Sequence, residues 1–494
     1  MSAEWPRVQI SEVCDLIVDC VNKTAPQVGY ETPYKMIRTP NIKNGRIDLA
    51  GCRFVEKDTY EKWTRRATVE LGDVLLTREA PMGEVGIVDF DDTIFLGQRV
   101  MQYRANPEVL DSQFLLYAFL SPDLQYQFRM HDGSGSVVSH IRVPDCSKFE
   151  INLPSLEVQK EIAKILSNLD NKIQLNRQTN QTLEQIAQAI FKSWFVHFEP
   201  VKAKVIVKEK GGSQLAQSLA AQAMLCGAIT LEQLTALEND YRGLEAQLHP
   251  LITQRFPDQH GLDYWSPEQL QATAELFPDA LVESGLGEVP EGWGLTILGE
   301  LIEFNPKRVL KKGTIAPYLD MKNVPTQGHL ADDVYDREMG SGTKFINGDT
   351  LLARITPCLE NGKTAYVDFM EENQVGWGST EYIVMRPKGE RPLSLAYVLA
   401  RIDSFRKKAI QTMTGTSGRQ RANAKVLADQ LWLDYPVELL IVFDSIAGAY
   451  LSQAKINGDQ NKTLAELRDT LLPKLLSGEV DLSFSNEESR EATR

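Results

Sequence analysis

Apolar residues at Ile162, Leu166, Leu169 and Ile173, and again at Leu183, Ala187, Ile190 and Trp194, recur in alternating steps of four and three. That spacing is one face of a helix packed along another helix. Asn176 and Asn180 interrupt the seam near its middle. Pro154-Ser155 with Glu157 and Glu161 behind it suits a helix start, and Pro200 predicts its end. At ~1.5 Å per residue such a helix is roughly 65 Å long, and it needs a partner. The same pattern returns 281 residues later: Phe443, Ala447, Tyr450 and Ala454, then Asn457 and Asn461, then Leu464, Arg468, Leu471 and Leu475. Both asparagines fall on asparagines, which is the signature of an internal repeat.

Ahead of each helix, short alternating runs predict a mixed globule. In residues 1–153, Ser11 to Val18 predicts a short helix. Strands are expected at Tyr34–Arg38, Ile47–Phe54, Asp73–Thr77, Glu84–Val88, Val100–Arg104 and Phe149–Leu153, and a helix over Gln113 to Phe128. Residues 287–435 repeat the order, with a short helix at Leu298–Phe304 and a longer one from Ala396 to Ile410. Asn347-Gly348-Asp349-Thr350-Leu351-Leu352-Ala353-Arg354 echoes Leu71-Gly72-Asp73-Val74-Leu75-Leu76-Thr77-Arg78. The fold class expected is α+β: two duplicated mixed α/β globules, with long helices at 154–200 and 436–478 that pair antiparallel. Residues 201–286 form an unrepeated acidic helical spacer, with helices at Gln214–Leu225 and Leu231–Leu248, and 479–494 an acidic flexible tail.

Composition adds little to this picture: 43% hydrophobic and 24% charged residues are ordinary for a soluble globular chain. Six scattered cysteines read as free thiols in a reducing cytoplasm. No run approaches 18 apolar residues and no signal peptide opens the chain, so no membrane partner is expected. The net charge of −14 is uneven. Residues 200–292 hold six Lys/Arg against 13 Asp/Glu, and the tail two against five. The rest is near balance, so basic faces on the globules remain compatible with a polyanion.

No catalytic constellation emerges. Pro357-Cys358-Leu359-Glu360-Asn361-Gly362-Lys363-Thr364 approaches a phosphate loop, but proline replaces the leading glycine and offers no N–H. The glycine-rich cofactor loop and Asn-Pro-Pro-aromatic pattern of adenine methyltransferases are missing, and the six histidines lack metal-ligand spacing. The polar loops are more informative. Arg129, Ser134, Ser136, His140 and Arg142 surround a Gly/Ser loop. At the equivalent place in the second copy lie Arg406, Lys407, Thr416, Ser417, Arg419, Gln420 and Arg421, in a stretch without an acid from Arg406 to Lys425. Cations, hydroxyls and amides on loops suit phosphate contact and base-edge reading. A solvated loop after a helix is the plain alternative, and the recurrence in both copies weighs against it. Arg78 with Arg354 is a second matched pair, and Lys35 and Arg38 with Lys322 a third.

Taken in order, Leu153-Pro154-Ser155-Leu156-Glu157-Val158-Gln159-Lys160-Glu161-Ile162, Leu169-Asp170-Asn171-Lys172-Ile173, Phe191-Lys192-Ser193-Trp194-Phe195 and Gly287-Glu288-Val289-Pro290-Glu291-Gly292-Trp293 resemble the specificity subunits of type I restriction–modification systems. The resemblance covers nearly the whole chain, the spacer excepted. It implies two target-recognition domains, each reading half of a split double-stranded DNA site, and long helices that bind two methyltransferase subunits. It further implies restriction/translocase partners. No cofactor is expected on this chain; S-adenosylmethionine, ATP and magnesium belong to the partners. Asn176 and Asn180 would meet Asn457 and Asn461 and fix the helix register. The rival expectation is a scaffold whose globules bind only proteins.

Overall fold

The computed structural model describes residues 5–21, 23–130, 140–237, 243–254, 266–416 and 418–480. The chain divides into two compact units, residues 1–174 with 460–494, and residues 175–459. The division runs through both long helices, Leu156–Phe195 and Val437–Leu476.

In the first unit an antiparallel sheet runs Cys14–Asp19, Val100–Ala105, Val74–Arg78, Met82–Ile87. A second sheet places Lys35–Ile37 between Arg53–Phe54, antiparallel, and Ile94–Leu96, parallel. Arg7–Gln9 pairs with Glu150–Asn152. The second unit uses the same connectivity. Ile302–Phe304, Tyr382–Pro387, Thr350–Ala353 and Thr364–Tyr366 form the antiparallel sheet. Ile315–Leu319 pairs antiparallel with Val334–Glu338 and parallel with Gly376–Gly378, to which Thr343–Phe345 is added. Gly294–Ile297 pairs with Leu431–Asp434. The fold is α+β, and the repeat extends to single hydrogen bonds. The Asn41 amide donates to the Asp48 carbonyl and the Asn323 amide to that of Asp333, at 2.9 Å in each case.

One buried ion pair recurs. Asp73 is 1% exposed and accepts from Arg104 at 2.8 Å, from Gln102 at 2.7 Å and from the Glu70 amide at 2.7 Å. Asp349, fully buried, accepts from Arg386 at 2.8 Å, from Arg308 at 3.1 Å and from the Ile346 amide at 2.9 Å. A carboxylate withdrawn from water needs such partners, because its charged form is otherwise too costly to bury.

Each unit also holds part of the helix pair. In the first, Asn152 donates to the Leu476 carbonyl (3.2 Å) and Arg468 to Asp170 (2.7 Å), so the segments run antiparallel. Leu472, Leu475 and Leu476 join Ile162, Ala163 and Leu166 in the core beneath Phe114, Tyr117 and Phe119. In the second, Phe191 packs edge-on to Phe443 at 5.3 Å, and Trp194 and Phe195 surround the same ring. The described residues include one helix apolar and long enough by composition to cross a membrane, Val437–Leu476. Its Leu439, Leu440, Phe443, Ile446 and Ala447 are core residues of the second unit.

Several expected elements fall differently. Pro200 does not stop the first helix, which ends at Phe195; Phe198 turns left-handed and Pro200 sits in the first turn of a new helix, Glu199–Glu209. A proline lacks only an N–H that a first turn leaves unused. Ser11 to Val18 is a 3-10 turn, Ile10–Glu12, followed by the strand Cys14–Asp19. Leu298–Phe304 likewise passes from helix to strand at Ile302. Ile47–Phe54 is two short strands, Arg46–Ile47 and Arg53–Phe54. The expected helix over Gln113–Phe128 breaks at Ser121, which caps Pro122–Arg129, and its counterpart breaks at Ile402. The spacer builds a helical core of its own, with Ala216, Leu219, Ala220, Leu234, Leu248 and Leu270 buried together.

Candidate nucleic-acid interface

Arg78 and Arg354 end equivalent strands, and the backbone around them is bonded identically. The Arg78 amide donates to the Arg99 carbonyl (2.8 Å), and the Ile141 amide donates to the Arg78 carbonyl (3.0 Å). In the second unit the Arg354 amide donates to the Glu381 carbonyl (2.9 Å), and the Ala422 amide to the Arg354 carbonyl (2.8 Å). Each globule therefore has a junction of three segments. One is the strand end, the second precedes the adjacent strand, and the third leaves the polar loop.

In the second junction Arg421 donates from Nε and Nη2 to both oxygens of Glu381, at 2.7 to 2.9 Å. Arg354 lies 3.6 Å from the same carboxylate. The hydrogen bonds to Glu381 raise the Arg421 guanidinium above its ordinary pKa, which fixes its charge. The loop above is a hairpin in which Thr414 and Arg421 exchange backbone bonds of 3.1 and 2.9 Å. Gly415 has a φ of 126°, and a Cβ there would come within 3.0 Å of the Arg419 carbonyl oxygen, so only glycine fits. Thr416 and Arg419 are exposed, and the Gln420 carbonyl accepts from the Thr356 amide and hydroxyl, at 3.1 Å each.

In the first junction Arg78 Nη1 donates to the Ile141 carbonyl (3.1 Å), while its buried Nε has no hydrogen-bond partner among the described residues. Arg99 pairs with Glu79 at 2.8 Å and has a left-handed φ of 75°. His140 precedes Ile141 as Arg421 precedes Ala422. Arg142 is exposed and held by Asp145 at 2.9 Å, and Arg129 is exposed at the end of Pro122–Arg129. Ser134, Ser136 and Ser417 lie outside the described residues.

The remaining candidates are less concerted. Arg406 is held by Asp403 at 2.6 Å, whereas Lys407 is exposed and makes no ion pair among the described residues. Lys35 pairs with Asp92, and Arg38 donates to the Gly51 carbonyl (3.3 Å). Lys322 is exposed, but it is not the counterpart of Lys35 or Arg38. With Asn41 matched to Asn323, Arg38 falls on Asp320 and Lys322 on Pro40. Lys363 of the phosphate-loop-like run donates to the Met321 and Lys322 carbonyls, at 2.7 and 3.2 Å. Of the four asparagines, Asn457 donates to Asn180 at 2.8 Å, and Asn180 to the Ala454 carbonyl at 2.9 Å. Asn176 is 2% exposed, and Asn461 is half-buried.

Sequence reasoning missed Glu381, Arg99 and the Asp403 partner of Arg406. The acid-free run from Arg406 to Lys425 looked like uncompensated charge, yet its carboxylates come from Asp403, just outside it, and from Glu381, 40 residues upstream of Arg421. The match of Arg78 to Arg354 was a usable signal for Glu381 and Arg99, since each precedes the strand paired with that arginine's own.

Residues 3–185 match the family model described as the type I restriction modification DNA specificity domain. The specificity subunit of the type I restriction enzyme HindI from Haemophilus influenzae is 27% identical over 429 residues, 84% of this chain and 88% of that one. The MjaIX specificity subunit of Methanocaldococcus jannaschii is 30% identical over 168 residues, covering 32% of this chain and 38% of its own. A crystal structure of a type I restriction–modification S subunit from M. genitalium covers 96% of both chains at 15% identity, with a TM-score of 0.46. On the sequence matches, residues 3–185 are similar to the type I DNA specificity domain, and 84% of the chain is similar to a type I restriction–modification specificity subunit.

Proposed function

We propose that this chain reads a double-stranded DNA target in two separate halves, one with each globule, and so directs adenine methyltransferase and restriction subunits to that site. Sequence-specific DNA recognition is the general role of the family. The reading of two unlike halves rests on one observation: the two junctions share their backbone bonds and an arginine, Arg78 or Arg354, yet differ at the other two positions, Arg99 and His140 against Glu381 and Arg421. One scaffold with two sets of donors and acceptors suits two different base sequences. Arg129, Arg142, Lys407, Thr416 and Arg419 are the proposed contacts around the junctions, with Lys35, Arg38, Lys322, Arg406 and Gln420 behind them. Ser134, Ser136 and Ser417 are proposed from the sequence alone.

The long helices are proposed to set the distance between the halves and to dock two methyltransferase subunits, with Asn180 and Asn457 fixing their register. In this reading the chain acts in the cytoplasm and has no catalytic step. S-adenosylmethionine, ATP and magnesium act on the partner subunits. A protection footprint of the chain with its methyltransferase partner tests it. Two protected blocks separated by an unread stretch of roughly one helical turn are expected. One continuous block, or no sequence preference, would sink it.

A further inference from the structure

Arg99 combines three features. It holds a left-handed backbone, which a side chain other than glycine or asparagine rarely adopts. Its carbonyl bonds the Arg78 amide, fixing it at the first junction. Its side chain is half exposed, reaching past Glu79 at 2.8 Å. Nothing in the fold requires an arginine there: at the matched position Glu381 closes the second junction with no left-handed φ and the opposite charge. Backbone strain kept by a non-glycine residue at such a place points to use of its side chain.

The reversal of charge decides which use. Phosphates run along every DNA sequence, so a position serving them would be cationic in both copies. A position that is a cation in one copy and a carboxylate in the other instead distinguishes the two halves. We infer that Arg99 is a specificity-determining residue of the first globule, presenting its guanidinium to a base edge with two acceptors, of the guanine type, in the half-site that globule reads. This rests on the proposed DNA-reading function. The pairing with Glu79 holds the guanidinium in place, and half of the side chain stays open to solvent. A fork of two donors matches two neighbouring acceptors, which a lysine cannot do.

The test uses the full chain with its methyltransferase subunits and DNA duplexes carrying the target, each with a base change in one half or the other. Arg99→Gly, Arg99→Ala and Arg99→Lys are compared with the parent. All three should bind the target roughly tenfold more weakly. They should lose discrimination at one position of one half-site and keep discrimination in the other half. Glycine relieves the strained backbone, so Arg99→Gly should melt about 2 °C above Arg99→Ala while binding no better. Parent-like binding by Arg99→Gly, an equal loss on every duplex, or full recovery with lysine would each overturn the assignment. A parent complex without sequence preference would overturn the DNA-reading function beneath it. Parent preference with unaltered Arg99→Gly would overturn the Arg99 assignment alone.

Discussion

Replacing Arg104 by methionine, and separately Arg386 by methionine, probes how each globule is held together. The two arginines occupy matched places, but their losses should differ. Removing Arg104 leaves Asp73, 1% exposed, with only Gln102 and the Glu70 amide. Breaking a buried pair from one side costs ~3–5 kcal/mol. The two surviving donors place Arg104→Met near the lower end, about 3 kcal/mol. Removing Arg386 leaves Asp349 with a second guanidinium, Arg308 at 3.1 Å, besides the Ile346 amide. The cost then approaches that of one charge-assisted bond, about 1.5 kcal/mol. Hydrogen exchange resolved by peptide reads each globule separately. The strand Val74–Arg78 should exchange about 100-fold faster in Arg104→Met, and Thr350–Ala353 about tenfold faster in Arg386→Met. Equal losses, or a larger loss in the second globule, would refute the claim that the spare arginine carries the difference.

Asn180→Leu should destabilise the helix pair by about 1–3 kcal/mol, because the Asn457 amide loses its partner. The double change with Asn457→Leu should recover much of that in thermal melts, and a single variant as stable as the parent would count against the register role. Burial raises the Cys146 thiol to about 11 and Cys14 to about 12. The folded state thus holds these protons more tightly than the unfolded one. Their stabilisation is complete below pH ~9 and lost as pH rises through those values. The fall in Tm above pH 9 should be shallower for Cys146→Ala than for the parent, and equal slopes would exclude the thiol as a contributor. Reversing charge at Arg129, Lys407 and Arg419 should weaken DNA binding and lower the salt slope by up to about three. An unchanged slope would favour the scaffold alternative.

The duplication was legible because it rests on spacing and on residues that do the same job twice. The seam from Ile162 to Trp194, the paired asparagines and the Leu-Leu strands ending at Arg78 and Arg354 needed no tertiary information. Element breaks were less legible. Nothing in the apolar run Phe114–Leu120 shows that Ser121 will cap a second helix, and Pro200 serves as well to start a helix as to stop one. The ion pairs were hidden most deeply. Arg421 meets Glu381 and Asp349 meets Arg386 only once strands distant in sequence are laid side by side. A charge count along the chain therefore overstated how much of the cation-rich loop is left to face DNA.

The central claim is that each globule reads its own half of the target. Mapping methylated adenines across the genome of cells carrying the methyltransferase subunit tests it most directly, with this chain and with a version whose residues 287–435 are exchanged for the matching segment of a type I specificity subunit. Two short blocks separated by an unread gap are expected with the native chain, and one block should change while the other persists after the exchange. A continuous motif, or an exchange that alters both blocks or neither, would contradict it.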